Sequence, residues 1–253
     1  MTTTDDPTQR FTIRAENYAR YRPGYPPAVL DCLRDECGLT SEAVVADIGS
    51  GTGILTALLL ANGNQVYAVE PNKAMRQAAE QNLNDYPGFL SINGRAEATT
   101  LPDHSIDLIV VGQAFHWFDA HAGRVEFKRI LRPGSYVSVI WNARDFSNDP
   151  LMAAYEGVLA DFGMGHKVVN HRAHAGDLEI LFPDGRQART FSHLRPMNFE
   201  TLWGGFLSAS YAPTPDDPRY EPMRAALQAV FDTHQRDGRV TFVYQTAVNF
   251  GRL

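Results

Sequence analysis

The sequence predicts an α/β protein with a doubly wound, mostly parallel sheet. From residue 44 onward, short apolar runs alternate with helix-sized segments, which is the element order of parallel sheets. A glycine-rich turn follows the first apolar run, and an acidic residue ends the second. Together these features are typical of a nucleotide-binding βαβ unit, in which backbone amides of the turn approach the ligand and a carboxylate about 20 residues further on binds ribose hydroxyls.

The predicted elements follow in chain order. An N-terminal cap, residues 1–40, contains a proline-rich turn and a helix over 28–37. The predicted strands cover residues 44–49, 65–70, 89–93, 106–111, 135–141, 188–195 and 240–250. The predicted helices between and after them cover residues 52–62, 72–83, 121–130, 150–162, 199–208 and 220–235.

The regular alternation breaks at residues 142–187. This segment contains one predicted helix followed by a polar loop. An insertion late in a doubly wound sheet is well placed to cover a pocket at the carboxyl ends of the strands, so we expect a lid here. Pro133 and Gly134 predict a turn before the fifth strand, and Asp237 and Gly238 predict a turn before the last one.

Composition indicates the class of protein and its partners. The chain has 253 residues, 44% of them hydrophobic, and a formal net charge of -6. This length and composition are sufficient for one domain, residues 1–253, with a sizeable core. The acidic balance argues against nucleic acid or an anionic membrane as partner, since both attract basic surfaces. A small molecule is therefore the expected substrate. The start of the chain lacks a leader pattern and no apolar run could cross a bilayer, so we expect a cytoplasmic protein.

The glycine turn indicates which nucleotide to expect. Gly49, Gly51 and Gly53 are followed by Ile54, so the third glycine comes one residue earlier than in the G-x-G-x-x-G fingerprint of dinucleotide-binding proteins. Asp47 precedes the turn and would repel a pyrophosphate, whereas it suits a ligand that carries positive charge. The pattern therefore argues against a nicotinamide-dependent oxidoreductase.

Several motifs resemble those of the class I S-adenosylmethionine-dependent methyltransferases. The turn at 47–53, together with Glu70, resembles motif I of that family and the acidic end of its second strand. Residues 18–26, 94–97, 113–118 and 131–134 are similar to the small-molecule branch that includes trans-aconitate methyltransferase-like proteins. The resemblance extends over nearly the whole chain. It implies a seven-stranded sheet with an antiparallel C-terminal strand, S-adenosylmethionine as cofactor, and methyl transfer to a small molecule.

The resemblance also implies which residues bind the cofactor. Gly49, Ser50 and Gly51 would line its methionine end, where the carboxylate of Asp47 suits the ammonium and the sulfonium. Glu70 would accept hydrogen bonds from both ribose hydroxyls.

The adenine end of the cofactor is assigned in the same way. Pro71 and Met75 would flank the adenine ring, and Ala96 and Glu97 would meet its polar edge. Arg95 stands where many relatives have Asp, so Glu97 is the candidate for the contact to the adenine amino group.

Methyl transfer from a sulfonium is an in-line displacement, so the protein mainly aligns and desolvates the nucleophile. The resemblance places Gln113 and Ala114 under the sulfonium. His116 follows them and is the candidate general base for a hydroxyl acceptor, because histidine titrates near neutrality. The alternative is that His116 only packs or forms structural hydrogen bonds. A carboxylate acceptor is already ionised at neutral pH and needs no base.

The substrate-binding candidates are aromatic or cationic. Tyr18 and Tyr21 are expected to close the pocket from the N-terminal cap, and Trp117 to form a wall. Arg22 is expected to hold the carboxylate of an acceptor. The other arginines that could take this role are Arg144 and Arg172.

Other residues suggest no further chemistry. His166, His171 and His174 do not have the spacing of a metal-ligand set, so no metal site is predicted. Cys32 and Cys37 are expected to be reduced thiols. The leading hypothesis is a small-molecule methyltransferase that acts on a carboxylate or hydroxyl oxygen. A protein that binds S-adenosylmethionine without transferring its methyl group is the alternative, and the oligomeric state is not predicted.

Overall fold

The computed structural model describes residues 20–145, 149–162, 175–208 and 212–253. The strands in these ranges are β1 (Val44–Ile48), β2 (Gln65–Val69), β3 (Phe89–Ile92), β4 (Ile106–Gly112), β5 (Leu131–Arg144), β6 (Gln187–Met197) and β7 (Val240–Arg252). The helices are α1 (Pro27–Cys37), α2 (Ile54–Ala61), α3 (Lys73–Leu83), α4 (Ala120–Ile130), α5 (Pro150–Asp161), α6 (Ala175–Leu181), α7 (Phe199–Leu207) and α8 (Tyr220–His234).

The strands form one mixed sheet in the order β3-β2-β1-β4-β5-β7-β6. Strands β1 to β5 pair in parallel, and β7 runs antiparallel to both of its neighbours, β5 and β6. The predicted doubly wound sheet with a reversed C-terminal strand is therefore confirmed.

Apolar layers cover both faces of the sheet. Val45 of β1 packs on one face, in a cluster with residues of α1, α2 and α3. Its neighbour Ala46 packs on the other face, in a cluster with residues of α4 and α6. Because successive strand residues point to opposite faces and both faces are buried, β1 and β4 are nearly continuous apolar runs. A third cluster joins α5, α7 and α8 to the ends of β6 and β7.

Strand β5 is longer than the predicted 135–141. It begins at Leu131, and its pairing with β4 shifts between Ile106↔Leu131 and Leu108↔Tyr136. The predicted turn at Pro133 and Gly134 lies inside this irregularity, where Gly134 has φ +83°. The turn therefore bends β5 instead of separating a helix from the strand, because β5 pairs with β4 both before and after the turn.

The described part of the predicted insertion, residues 142–187, contains two helices where one was predicted. Helix α5 was predicted, whereas the part of the predicted polar loop over 175–181 forms α6, whose Leu178 and Leu181 are buried against the sheet. A helix of two turns has too few residues to show a periodic pattern, which explains why it was missed. His166, His171, Arg172 and His174 lie outside the described residues. The predicted lid role of the segment stays a prediction.

Helix α2 begins at Ile54, two residues later than predicted, because Gly53 has φ +84° and ends the turn before it. The predicted turn at Asp237 and Gly238 is confirmed, since both residues have positive φ. Cys32 and Cys37 are buried free thiols. Among the described helices, none is long and apolar enough to span a bilayer. The described residues contain no group of three His, Cys, Asp or Glu side chains placed to hold a metal ion.

Candidate functional site

A pocket opens at the carboxyl ends of β1 and β4. The two strands are parallel neighbours, but the chain continues from β1 toward β2 and from β4 toward β5, on opposite sides. The loops after them therefore diverge and leave a crevice, which is where doubly wound sheets bind ligands. The predicted site residues that line this pocket are Arg22, Asp47, Gly49, Ser50, Gly51 and Gln113.

The loop after β1 needs glycine for two different reasons. Gly49 has φ +70°, and a Cβ there would lie 2.6 Å from the Cβ of Ala114, so the loops after β1 and β4 are in contact at this point. Gly51 has φ +58°, but a Cβ there would meet nothing within 4 Å. Both conformations are costly for residues with a side chain. At Gly51, the absence of a side chain also leaves open space in which a ligand can approach the backbone.

The carboxylate of Glu70 is held at the end of β2 beside this loop. Its Oε2 accepts from the Gly51 amide at 3.0 Å, and its Oε1 accepts from the Asn72 amide at 2.8 Å. Only 9% of the residue is exposed, and burial raises its pKa while the two amide bonds oppose the rise. Each carboxylate oxygen has a second lone pair, so the group can still accept from two hydroxyls of a ligand.

Asp47 lies in the floor of the pocket and is 1% exposed. Thr56 of α2 donates its hydroxyl to Oδ2 at 2.6 Å. The other oxygen, Oδ1, has no hydrogen-bond partner among the described residues. Burial raises the pKa of this carboxyl to about 7. A buried carboxylate oxygen without a donor is costly, and a ligand that brings an N–H group or a positive charge would remove that cost.

Gln113 lines the pocket from the end of β4 in an unusual backbone conformation. Its φ is +61°, a strained value for a residue with a side chain. Its amide donates to the Ile140 carbonyl at 2.9 Å, and its side chain Nε2 donates to the Asn142 carbonyl at 3.0 Å. These two bonds fix the residue between β4 and β5 and orient its side chain beside the pocket.

Several pocket residues were not identified from the sequence. The hydroxyl of Tyr25 lies so close to Gly112 that a Cβ on that glycine would be 2.6 Å from it. This contact brings the turn before α1 against the end of β4. A glycine ending a buried strand and a tyrosine in a proline-rich turn are weak local signals for such a contact. The remaining lining residues that were missed are Pro23, Ile54 and Leu55.

The residues predicted around the adenine lie outside the lining of this pocket. Pro71 is half-buried after Glu70, and Met75 is buried in the first turn of α3. Ala96 is buried and Glu97 half-buried in a tight turn, and Glu97 Oε1 accepts from the Asp119 amide at 2.9 Å. Their contact with adenine stays a prediction.

Of the residues predicted near the reacting methyl group, Ala114 lies against the loop after β1, whereas His116 and Trp117 lie outside the pocket lining. Ala114 contacts the loop after β1 and is 9% exposed. His116 and Trp117 lie in a 3-10 turn (Phe115–Trp117) and pack against each other with ring centroids 4.6 Å apart. Trp117 is 45% exposed, and neither residue lines the pocket. Their proposed roles in catalysis and in the pocket wall stay predictions.

Tyr18 and Tyr21 of the N-terminal cap were predicted to close the pocket, and the structure describes Tyr21. Tyr21 packs on α7, where a Cβ on Gly204 would lie 2.3 Å from its ring, and its hydroxyl donates to Glu200 at 2.9 Å. This hydrogen bond raises the pKa of Tyr21. The ring therefore faces α7 and does not line the pocket. Tyr18 lies outside the described residues, and Arg144 lies over the ring of Tyr155 instead of in the pocket.

The central part of the chain is similar to a known family of domains. Residues 46–139 match a family model described as a methyltransferase domain. They include the second half of β1, the glycine loop, Glu70 and β4. Over this segment the chain is similar to methyltransferase domains. The cofactor of such domains is S-adenosylmethionine. The resemblance stated from the motifs is thereby confirmed for the class, whereas the trans-aconitate branch is not shown.

Relatives and solved structures agree with the methyltransferase domain. An uncharacterized methyltransferase of Mycobacterium tuberculosis is 38% identical over 128 residues, 51% of this chain and 50% of the relative. An uncharacterized methyltransferase of Schizosaccharomyces pombe is 33% identical over 138 residues, 54% of each chain. The matched region thus spans about half the length of these relatives. A candidate type II methyltransferase of Anaeromyxobacter dehalogenans shares the fold over 92% of this chain and 98% of its own, with TM-score 0.71 and 22% identity.

Proposed function

We propose that this protein transfers a methyl group from S-adenosylmethionine to an oxygen of a small-molecule acceptor. The observation that carries the proposal is the buried Oδ1 of Asp47, which has no donor among the described residues. Asp47 lines the pocket together with the glycine loop. A ligand with a positively charged methionine end supplies the missing donor. A pyrophosphate in the same place would be repelled.

The residues of the methyltransferase domain fit the parts of this cofactor. Asp47 is the acceptor for the ammonium group, and the pair of oxygens on Glu70 is the acceptor for the ribose hydroxyls. When bound, S-adenosylmethionine supplies an electrophilic methyl group on a sulfonium. Gln113 and Ala114, at the end of β4, are the residues we place beside that sulfonium. Their fixed backbone keeps the surface of the pocket there in one conformation.

We further propose that the acceptor is an acid, methylated on its carboxylate. Of the described residues that line the pocket, Arg22 and Asp47 carry a charge, and Arg22 is the cation among them. A guanidinium binds a carboxylate through two parallel hydrogen bonds and orients it. A carboxylate is also a nucleophile at neutral pH without a general base. This agrees with the position of His116, which does not line the pocket.

The first experiment detects the product. The protein is incubated with methyl-labelled S-adenosylmethionine and a panel of small carboxylic acids, phenols and alcohols, and methyl esters and ethers are measured by mass spectrometry. Formation of a methyl ester that depends on the enzyme supports the proposal. Binding of S-adenosylhomocysteine without any methylated product would favour the alternative, a protein that binds the cofactor for another purpose. Absence of binding by the folded protein would reject the methyltransferase proposal.

Two variants separate the acceptor classes. For an acid, Arg22→Gln raises the KM of the acceptor by about 10-fold or more, because a charged hydrogen bond is lost, while His116→Gln leaves kcat unchanged. For a hydroxyl acceptor, His116→Gln instead lowers kcat by about 100-fold or more. His121→Gln is the matched control, since His121 lies on α4 and outside the lining of the pocket.

A further inference from the structure

One wall of the pocket comes from a segment before α1. We name residues 20–26 the strap. Its members Arg22, Pro23 and Tyr25 line the pocket together with residues of the loops after β1 and β4. The strap lies far in sequence from the residues that hold it, so tertiary contacts determine its position.

The first half of the strap is attached to β6 and α7. Arg195 of β6 donates through Nη2 to the Tyr21 carbonyl at 2.6 Å. Arg20 and the hydroxyl of Tyr21 both donate to Glu200 of α7, at 3.1 and 2.9 Å. Arg20 and Glu200 are mostly exposed, with 71% and 63% of their side chains accessible, so that ion pair contributes little.

The second half of the strap is attached by a buried side chain. Asn142, at the carboxyl end of β5, is 9% exposed and donates through Nδ2 to the Gly24 carbonyl at 2.9 Å. Gly24 lies between two lining residues of the pocket, Pro23 and Tyr25. The Asn142 amide therefore acts on the part of the strap that forms the wall.

The same residue also holds Gln113, which lines the pocket from the end of β4. The carbonyl of Asn142 accepts from Nε2 of Gln113 at 3.0 Å. The side chain Oδ1 of Asn142 accepts from the hydroxyl of Thr246 on β7 at 2.5 Å. Thr246 is 0% exposed, and its bond determines which way the amide points, with the Nδ2 group toward Gly24.

We propose that Asn142 is a positioning residue that sets the separation between the strap and Gln113 and so organises the pocket for S-adenosylmethionine. Its contribution to ligand affinity rests on the proposed function. Its contribution to the strap does not. Pre-organisation of this kind improves affinity because fewer groups have to be ordered when the ligand binds.

The chemistry of Asn142 allows a specific variant. In Asn142→Asp the new carboxylate still accepts from Thr246, but it has no hydrogen to donate to the Gly24 carbonyl. Burial and the facing Gly24 carbonyl both disfavour a charge at this position, so the pKa of the new carboxyl is expected to lie well above the usual value of about 3.9. Protonation then restores a donor, and the defect is expected to reverse toward pH 5.5. A purely structural defect would not reverse in this way. Asn249→Asp is the matched control, because Asn249 is also 9% exposed and lies on β7, with Arg186 as its partner instead of the strap.

The strap itself is tested by limited trypsin digestion of the full chain without ligand at pH 8. Arg20 is exposed, whereas the bond after Arg22 is protected by Pro23. We measure the fragment that begins at Tyr21 by mass spectrometry. Its rate of formation is expected to rise several-fold in Asn142→Asp and to stay at the wild-type value in Asn249→Asp. Equal rates in all three proteins would overturn the proposal.

The pocket is tested by calorimetric titration with S-adenosylhomocysteine. Relative to wild type, Asn142→Asp is expected to bind about 10-fold more weakly at pH 8, the effect of one lost hydrogen bond, and to approach wild-type affinity at pH 5.5. A loss that is the same at both pH values, or no loss, would overturn the positioning role. If the wild type binds no ligand while its strap is protected from trypsin, the proposed function fails but the role of Asn142 in holding the strap stands.

Discussion

The backbone amide of Gly51 donates to the carboxylate of Glu70 at 3.0 Å. This bond joins the loop after β1 to the end of β2, and the Asn72 amide holds the other carboxylate oxygen at 2.8 Å. The acceptor proposed for the ribose is therefore oriented before any ligand arrives. The loop after β1 and the end of β2, which α2 separates in the chain, therefore meet at the carboxylate of Glu70.

Replacing Glu70 is expected to weaken cofactor binding. Glu70→Ala removes both proposed acceptors and leaves the Gly51 and Asn72 amides without their partner. We expect a loss of about 2 kcal/mol in binding free energy, or roughly 30-fold in Kd for S-adenosylhomocysteine, measured by calorimetry. The control is Glu80→Ala on the exposed side of α3, where the side chain bonds Ser91. Equal affinities for Glu70→Ala and the wild type would contradict the assignment.

Two glycines of the loop are expected to respond differently to the same substitution. Gly51→Ala and Gly49→Ala both place a side chain at positive φ, which costs about 1–2 kcal/mol of stability. At Gly49 the methyl group would also lie 2.6 Å from the Cβ of Ala114, which adds about 1–3 kcal/mol of overpacking. At Gly51 it enters open space in the pocket.

The measurement combines urea denaturation with S-adenosylhomocysteine binding. Gly51→Ala is expected to remain well folded and to lose ligand affinity, whereas Gly49→Ala is expected to lose clearly more stability. The interpretation of the loop is wrong if Gly51→Ala is as destabilised as Gly49→Ala, or if it binds the ligand like the wild type.

Asp47 is expected to make stability fall as pH rises. Its pKa is raised by burial to about 7 in the folded protein and is about 3.9 when unfolded. Between these values only the unfolded chain releases the proton, so the free energy of unfolding decreases with pH and levels off above about 7. From pH 5 to pH 8 this amounts to about 3 kcal/mol. Urea denaturation of wild type and Asp47→Asn measures it, since the variant lacks this slope.

The same carboxyl is expected to give ligand binding the opposite pH dependence. An ammonium group prefers the ionised form of Asp47, so the affinity of wild type for S-adenosylhomocysteine should rise between pH 6 and pH 8 relative to Asp47→Asn. Comparing the two proteins at each pH removes the titration of the ligand itself. Parallel profiles would show that Asp47 does not contact the charged end of the ligand.

Glu126 of α4 is expected to stabilise the loop that contains Ala96 and Glu97. It accepts from the amide and hydroxyl of Thr99 at 2.8 and 2.6 Å and is paired with Arg129, which lowers its pKa to about 2. The stabilisation is present above the unfolded pKa of about 4.3 and is lost as pH falls toward 2.

Glu126→Gln should therefore reduce the free energy of unfolding by about 2 kcal/mol at pH 7, and the difference from wild type should shrink toward pH 2. Urea denaturation at several pH values tests this, with exposed Glu179→Gln as the control. A difference that stays constant with pH would assign the effect to packing instead of charge.

Features set by local spacing were predictable from the sequence. The order of strands and helices follows from apolar periodicity, and the glycine loop, Asp47 and Glu70 follow one another at a spacing that one βαβ unit determines. Gly49, Gly51 and Gly53 all have positive φ, as such a turn requires. These features depend on backbone geometry within a few residues, so the local sequence is sufficient to predict them.

The tertiary structure decided the rest. The strap is held by Asn142, which is 118 residues from Gly24 in the chain, and by Glu200, which is 179 residues from Tyr21. Tyr21 packs on α7 and Tyr25 enters the pocket, although both are tyrosines of the same short segment. Local patterns do not distinguish such residues, because their contacts depend on which strands become neighbours. That order results from the packing of the whole sheet, so only the folded chain shows which distant side chains form the walls of the pocket.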